Sequence, residues 1–417
     1  MAKRARAKLP GVVWAAGWVS FCSDAATELI FGVLPAFYLN TLTLGIVWVG
    51  MIEGLAETVV SMTKLFSGHL SDRSGARKPW MLFGYSLSGL SKPLLALVTG
   101  GVGVTILRTA DRFGKGLRGA PRDALVAQAI TQEQRGQAFG IQRSMDHAGA
   151  LMGGLLAAVL LLAGAAPKTL MLLSAVPALA TVLVIIFFIK EPARTPKPRE
   201  PFSLRQSWRH ASPELKKYIF AASIYALSNS SDLLLLALCY ERFKASGLDD
   251  AQAMGLLPLL WALLHVVKTT GVHLGGAISD RVGRIPLLVG AWMAYALVYA
   301  GAALFAHATH PAWAFVLFVL YGFVAILQEG PERAIVADFE PNAQRRGTAY
   351  GLLDFMTGIL LLPASLLAVG LWKAFGADVA MAVDAAIAFV AALALAMLFP
   401  RHKQRAQSSS EPAPEVE

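Results

Sequence analysis

The sequence predicts an all-α polytopic membrane protein with twelve transmembrane helices in two pseudo-symmetric six-helix bundles. Three observations carry that expectation. First, the 417 residues are 56% hydrophobic and 15% charged, whereas a soluble domain is roughly 45–50% apolar and 25% charged. Mean hydropathy is +0.55. Second, the apolar residues form long continuous runs rather than the short alternating segments of a barrel strand. At about 20 residues per span, twelve helices use roughly 240 residues and leave the rest for loops and tails. Third, blocks of the first half recur in the second at a nearly constant offset. The same composition excludes a disordered chain, a disulfide scaffold and an ordinary soluble enzyme.

The elements follow in order from apolar runs bounded by turn and charge signals. A basic tail, 1–10, carries Lys3, Arg4, Arg6 and Lys8. Helix one is read over 11–39; its run is too long for a signal peptide and contains Asp24 and Glu28. Helices two to six are read over 44–71, 79–99, 102–129, 136–164 and 168–190. The interval 191–215, rich in proline and basic residues, reads as a linker between 11–190 and a second bundle over 216–400. Helices seven to twelve are read over 216–240, 251–278, 285–307, 311–339, 346–372 and 377–400, and the tail 401–417 as disordered.

The net charge is +10, and basic residues gather in the two tails and the linker, while the loops near Asn40–Gly45 and Thr99–Val104 contain no Lys or Arg. Basic residues hold loops in the cytoplasm, so both termini and the linker are expected there. The expected location is the plasma membrane, a bacterial inner membrane. No nucleic-acid partner is inferred from this charge. Cys22 and Cys239 both lie inside apolar runs, which gives neither a disulfide framework nor a cysteine metal site.

The internal repeat has three blocks. GHLSDRSGARK (68–78) answers GAISDRVGR (276–284), with Asp72 and Asp280 208 positions apart, and Ser23-Asp24 answers Ser231-Asp232 at the same offset. APRDALVA (120–127) answers GPERAIVA (330–337), and EQRGQAFG (133–140) answers QRRGTAYG (344–351). Parallel six-helix repeats are one of the known transporter architectures.

On these residues the chain resembles the major facilitator superfamily. Its cytoplasmic signature between helices two and three matches Gly68, Leu70, Asp72, Arg73, Gly75, Arg77 and Lys78, with Ala76 where a basic residue is usual. A weaker copy runs through Gly276, Asp280, Arg281, Gly283 and Arg284. Arg108 resembles the arginine of the fourth-helix motif, and Glu133 to Gly140 fits the loop before helix five. The resemblance implies the fold of that family, alternating access and a cytoplasmic latch, to which Arg122 and Asp123 are added. The fifth-helix stretch GALMGG (149–154) lacks the Gly-Pro of the family's antiporters and reads first as a helix-packing surface.

Ionisable side chains inside a bilayer face a partner or a water-filled cavity. Helix one carries Asp24 and Glu28 one turn apart, near the midplane. Glu53, Glu57 and Lys64 of helix two fall within about 40° of arc. On helix four Arg108, Asp111, Arg112, Lys115, Arg118 and Arg122 fall within about 120°; a stripe so charged has to meet acids or a cavity. Helix five adds Arg143, Asp146 and His147, and helix seven Asn229 and Asp232. The acids either neutralise the bases structurally or exchange protons, since desolvation and nearby cations move a carboxyl's pKa in opposite directions. His265 and His273 read as packing residues.

No phosphate-binding loop, nucleophile elbow or zinc-helix motif is found, so neither an enzyme nor ATP-driven transport is expected, and no cofactor or metal. The reading is a secondary active transporter, proton-coupled, that exports a small organic compound such as a drug or siderophore. The alternatives are a proton-coupled organic-anion transporter using the cationic face of helix four, and a non-transporting receptor. The expected partners are a small-molecule substrate, protons and the lipid bilayer, with the chain a monomer.

Overall fold

The computed structural model describes residues 9–74, 76–131, 135–190, 203–308, 310–340 and 346–400, and of 68–70, 72–73, 135–137, 272–274, 276–277, 280, 330, 333 and 346–347 the backbone course alone. Among the described residues all regular structure is helical. Helix one runs over Gly11–Phe31, bends by 41° and continues through Leu34–Ala36 and a π-turn at Phe37–Thr41. Helix two is Ile46–Ser74, helix three Lys78–Leu94 with a 3₁₀ end, helix four Gly101–Gln128 and helix five Arg135–Leu162. Helix six is Pro167–Leu173 and Ala175–Phe188, and helix seven Pro213–Ser228 and Asp232–Ala245. Helices eight, nine and ten are Asp250–Val282, Arg284–Phe305 and Ala312–Phe339. Helix eleven is Arg346–Gly358 and Leu361–Phe375, and helix twelve Ala377–Leu398.

Nine of these are long and apolar enough to cross a membrane, ten with the bent pair of helix one. Helix three, with 17 residues in its main segment, and the charged helix four complete the twelve expected rods.

The structure departs from the sequence reading where polar residues interrupt an apolar run. Helix seven was expected unbroken over 216–240. It starts earlier because Ser212 caps Leu215 N–H ahead of Pro213, and it breaks at Asn229–Ser231. Asn and Ser offer the backbone side-chain partners that compete with helix; here the Ser231 hydroxyl accepts from Leu233 N–H, and Tyr295 donates to the freed Ser228 carbonyl at 3.1 Å. The expected linker 191–215 contains a short helix, Leu204–His210, capped by Ser203.

Within the first half, helix one packs on helix five, and helix four on helices two and three. Helices one and five approach closely because helix five presents glycines. A Cβ at Gly153 would stand 2.5 Å from the Ala25 carbonyl oxygen, and one at Gly149 would strike the Phe21 carbonyl. Within the second half, helix twelve packs on helices nine and seven, and helix ten on helices eight and nine. The halves meet along two seams, helix five against eight and helix two against eleven. At the second seam Thr58 donates to the Gly358 carbonyl at 3.0 Å and accepts from Leu362 N–H at 3.2 Å. One hydroxyl of the first half thereby satisfies both sides of the break in helix eleven, which lipid could not do.

Candidate functional site: the cavity between the halves

A cavity of about 140 Å³ lies between the halves. The first half lines it with Phe31, Gly54 and the carboxylates Glu53 and Glu57, the second with Leu361, Ser365 and the whole break of helix seven, Asn229 to Asp232. Four sequence-predicted site residues thus converge on it: Glu53, Glu57, Asn229 and Asp232. The break matters here, because an interrupted backbone is tolerated at membrane depth only inside protein or beside water.

The charged stripe of helix four meets acids rather than lipid. Arg108, 1% exposed, donates to both oxygens of Glu53, Nε to Oε1 at 2.8 Å and a terminal nitrogen to Oε2 at 2.6 Å. Its other terminal nitrogen reaches Asp111 at 3.2 Å, and Tyr38 donates to Glu53 at 3.3 Å. Asp111 is also held by Lys92 at 2.8 Å and by the Ser88 hydroxyl at 2.6 Å. One turn along, Arg112 pairs with Glu57 at 3.3 Å, with its guanidinium 5.9 Å from the centre of the Phe31 ring. A buried charge is tolerated when paired and hydrogen-bonded, and Arg108 and Asp111 meet that condition by using helices one to four together, while Arg112 Nε is paired with Glu57 without a hydrogen bond.

Further along helix four the groups lie among charges of both signs. Asp24 stands within coulombic reach of Asp146, Arg118, Lys115 and Arg122. Arg118 lies over the Tyr85 ring at 4.2 Å. Arg122 donates to Ser20 at 2.6 Å and to Asp123 at 3.0 Å, and stands 3.9 Å from Asp146. Lys115 is exposed. The Arg143 side chain, 77% exposed, stands 3.9 Å from Asp146. Glu28 reaches the other half: Trp261 of helix eight donates its indole N–H to Glu28 at 2.6 Å. In the second half Tyr321 donates to Asp232 at 2.6 Å, Lys268 pairs with Glu329 at 2.6 Å, and Arg284 pairs with Asp338.

Of the expected latch, Gly68, Asp72, Arg73, Gly75 and Asp280 lie outside the described side chains. Arg77 is half-buried and Arg281 exposed.

Among the described residues, the sequence reading missed Lys92 and Asp384, buried ionisable residues inside spans. Lys92 closes the Asp111 site. Asp384, 1% exposed on helix twelve, accepts from Ser230 at 2.5 Å. The rule that flagged Asp24, an ionisable residue inside an apolar run, applies to both.

Three comparisons bear on identity. The model of the Major Facilitator Superfamily matches residues 16–342. An uncharacterized MFS-type transporter of Methanocaldococcus jannaschii is 31% identical over 363 residues, covering 87% of this chain and 88% of the relative. The multidrug resistance protein MdtH of Photorhabdus laumondii is 29% identical over 133 residues, 32% of this chain and 33% of its own length. Among solved structures, a nucleoside transporter, NupG, superposes with a TM-score of 0.78 at 13% identity, covering 93% of this chain and all of that one, a likeness of fold.

Proposed function

The chain belongs to the Major Facilitator Superfamily, and from that premise we propose that it is a proton-coupled exporter of a small organic compound, with organic cations the favoured class. Membership makes it a multi-pass membrane transporter of small molecules and not an enzyme. Coupling, direction and substrate class are our reading.

The observation that carries the substrate class is the charge balance around the cavity. Arg108, Lys92 and Arg112 are each held by acids of their own half. On the facing wall Asp232 has a tyrosine hydroxyl as its hydrogen-bond donor. The same pairs neutralise Glu53 and Glu57 on the first wall, so the carboxylate left without a basic partner at ion-pair distance among the described residues is Asp232 on the facing wall, which suits a positively charged occupant. The alternative, an organic-anion transporter on the cationic face of helix four, keeps one observation in its favour, the exposed Lys115. The export direction is supported by the partial likeness to a multidrug resistance protein.

Asp24 and Glu28 carry the coupling in this reading. Both sit in helix one, and Glu28 is bonded across the halves. Arg143 and Asp146 complete the charged surroundings of Asp24. The bodies that rock are 11–190 and 216–400, with both termini and the linker in the cytoplasm of a bacterial inner membrane and the chain working as a monomer. The latch is Asp72, Arg73 and Arg77 with their repeats Asp280 and Arg281, joined by Arg122 and Asp123.

A thermal-shift screen of the purified protein tests the class. Organic cations are expected to raise the unfolding temperature and organic anions to leave it unchanged. Stabilisation by anions alone contradicts the reading.

A further inference from the structure

We propose that Asp384 is a proton-binding site in the second half, exchanging with the cavity between the halves through Ser230 and the break of helix seven. The inference rests on the proton-coupled reading above, in which the coupling acids lie in the first half.

Asp384 sits on helix twelve, about 10 Å from the helix start at 1.5 Å per residue. It is 1% exposed, and its Oδ2 accepts from the Ser230 hydroxyl at 2.5 Å. Among the described residues no Lys, Arg or His lies within ion-pair distance of it. This contrasts with Asp111 and Glu53, buried as deeply but closed by Lys92 and Arg108. An unpaired buried carboxylate is costly, whereas a neutral carboxyl needs only hydrogen bonds.

The groups that face it were followed on each packed element. Helix nine brings Tyr295 and Tyr299, and the Tyr299 hydroxyl lies beside Ser230 and within coulombic reach of both Asp384 and Asp232. Helix seven brings Ser230 and, two residues on, Asp232, itself bonded to Tyr321. Helix eleven also packs on helix twelve and brings no charge into its reach. The surroundings are hydroxyls and one carboxylate at the cavity wall.

Ser230 connects the buried acid to the cavity because it lines that cavity and bonds Asp384. Proton uptake then balances in one relay. A hydronium ion reaching the cavity from bulk gives a proton to Ser230 Oγ while the Ser230 hydroxyl proton passes to Asp384 Oδ2, so the serine ends unchanged, the carboxylate becomes a carboxylic acid and a water molecule is left in the cavity. Release runs in reverse. Because Ser230 belongs to the break, the charge on Asp384 bears directly on a segment that lines the cavity.

Infrared titration of the purified full chain in lipid tests this, because a protonated carboxyl has a carbonyl band that a carboxylate lacks. Asp384→Asn is expected to remove one such band. Ser230→Ala, which keeps the carboxyl, is expected to move that band to higher frequency through loss of a hydrogen bond. A spectrum left unchanged by Asp384→Asn overturns the proposal, as does a band that Ser230→Ala leaves in place, an outcome that remains readable if the asparagine variant does not fold. Export of ethidium driven by a pH gradient in the same vesicles separates the two readings. Absence of that flux in the unaltered protein overturns the coupling. Gradient-driven flux that Asp384→Asn fails to reduce tenfold, with the unaltered protein active, overturns the part given to Asp384.

Discussion

Trp261 and Glu28 are joined by a 2.6 Å hydrogen bond although they belong to different halves of the molecule. The donor is on helix eight, the acceptor one turn from Asp24 on helix one. Rocking of the halves has to break or remake this bond, so the state of Glu28 is tied to the state of the seam. Replacing Glu28 by Gln, or Asp24 by Asn, is expected to abolish uphill transport of a stabilising cation while the melting temperature of the protein stays close to that of the parent. Unchanged accumulation in both variants removes these residues from the coupling.

The pair Arg108–Glu53 is expected to be structural. Removing one partner of a buried ion pair costs about 3–5 kcal/mol because the other charge is stranded. Glu53→Gln should therefore lower the melting temperature in detergent markedly. Replacing Glu53 and Arg108 together by leucine should recover much of the loss, since no stranded charge remains. Equal losses in the single and double variants would mean that the pair does not act as a unit.

Thr58 bonds both sides of the break in helix eleven from the opposite half. Thr58→Val keeps the shape and removes the hydroxyl, leaving a carbonyl and an amide in need of partners at a cost of about 1–3 kcal/mol. The change acts on the packed seam, so labels placed on helices two and eleven should separate more often in the variant. Distance distributions identical to the parent would contradict this role.

The close approach of helices one and five gives a steric prediction. A Cβ at Gly153 would stand 2.5 Å from the Ala25 carbonyl oxygen, with backbone on both sides and no flexible side chain to yield. Gly153→Val is expected to destabilise the first half, read as a lower melting temperature, whereas the same change at Gly140, where a Cβ meets nothing within 4 Å, should have little effect. Equal tolerance at both positions would refute the packing.

The sequence made the fold legible because the physics of lipid is severe. Long apolar runs become spans, and the repeats at Asp72 and Asp280 pointed to two halves. The facing of the helix-four stripe was also legible, since a charged arc on an intramembrane helix has to find acids, and Glu53 and Glu57 share one face at helical spacing. What did not read through were the interruptions. The run around Asn229–Ser231 stays apolar enough on average to pass for one helix, and its break depends on Tyr295 and Asp384, which come from helices nine and twelve. Lys92 and Asp384 were hidden in the same way, as single charges in segments otherwise read as plain spans. Which acids meet which bases is a matter of helix packing, which linear spacing does not encode.

The central claim is that a proton gradient drives transport through this cavity. Its most direct measurement is flux of an organic cation in proteoliposomes with an imposed pH gradient, using purified protein and the Glu28→Gln variant as control. The account predicts uphill movement that collapses when the gradient is dissipated and is missing from the variant. Movement that is indifferent to the gradient, and the same in both proteins, would contradict it.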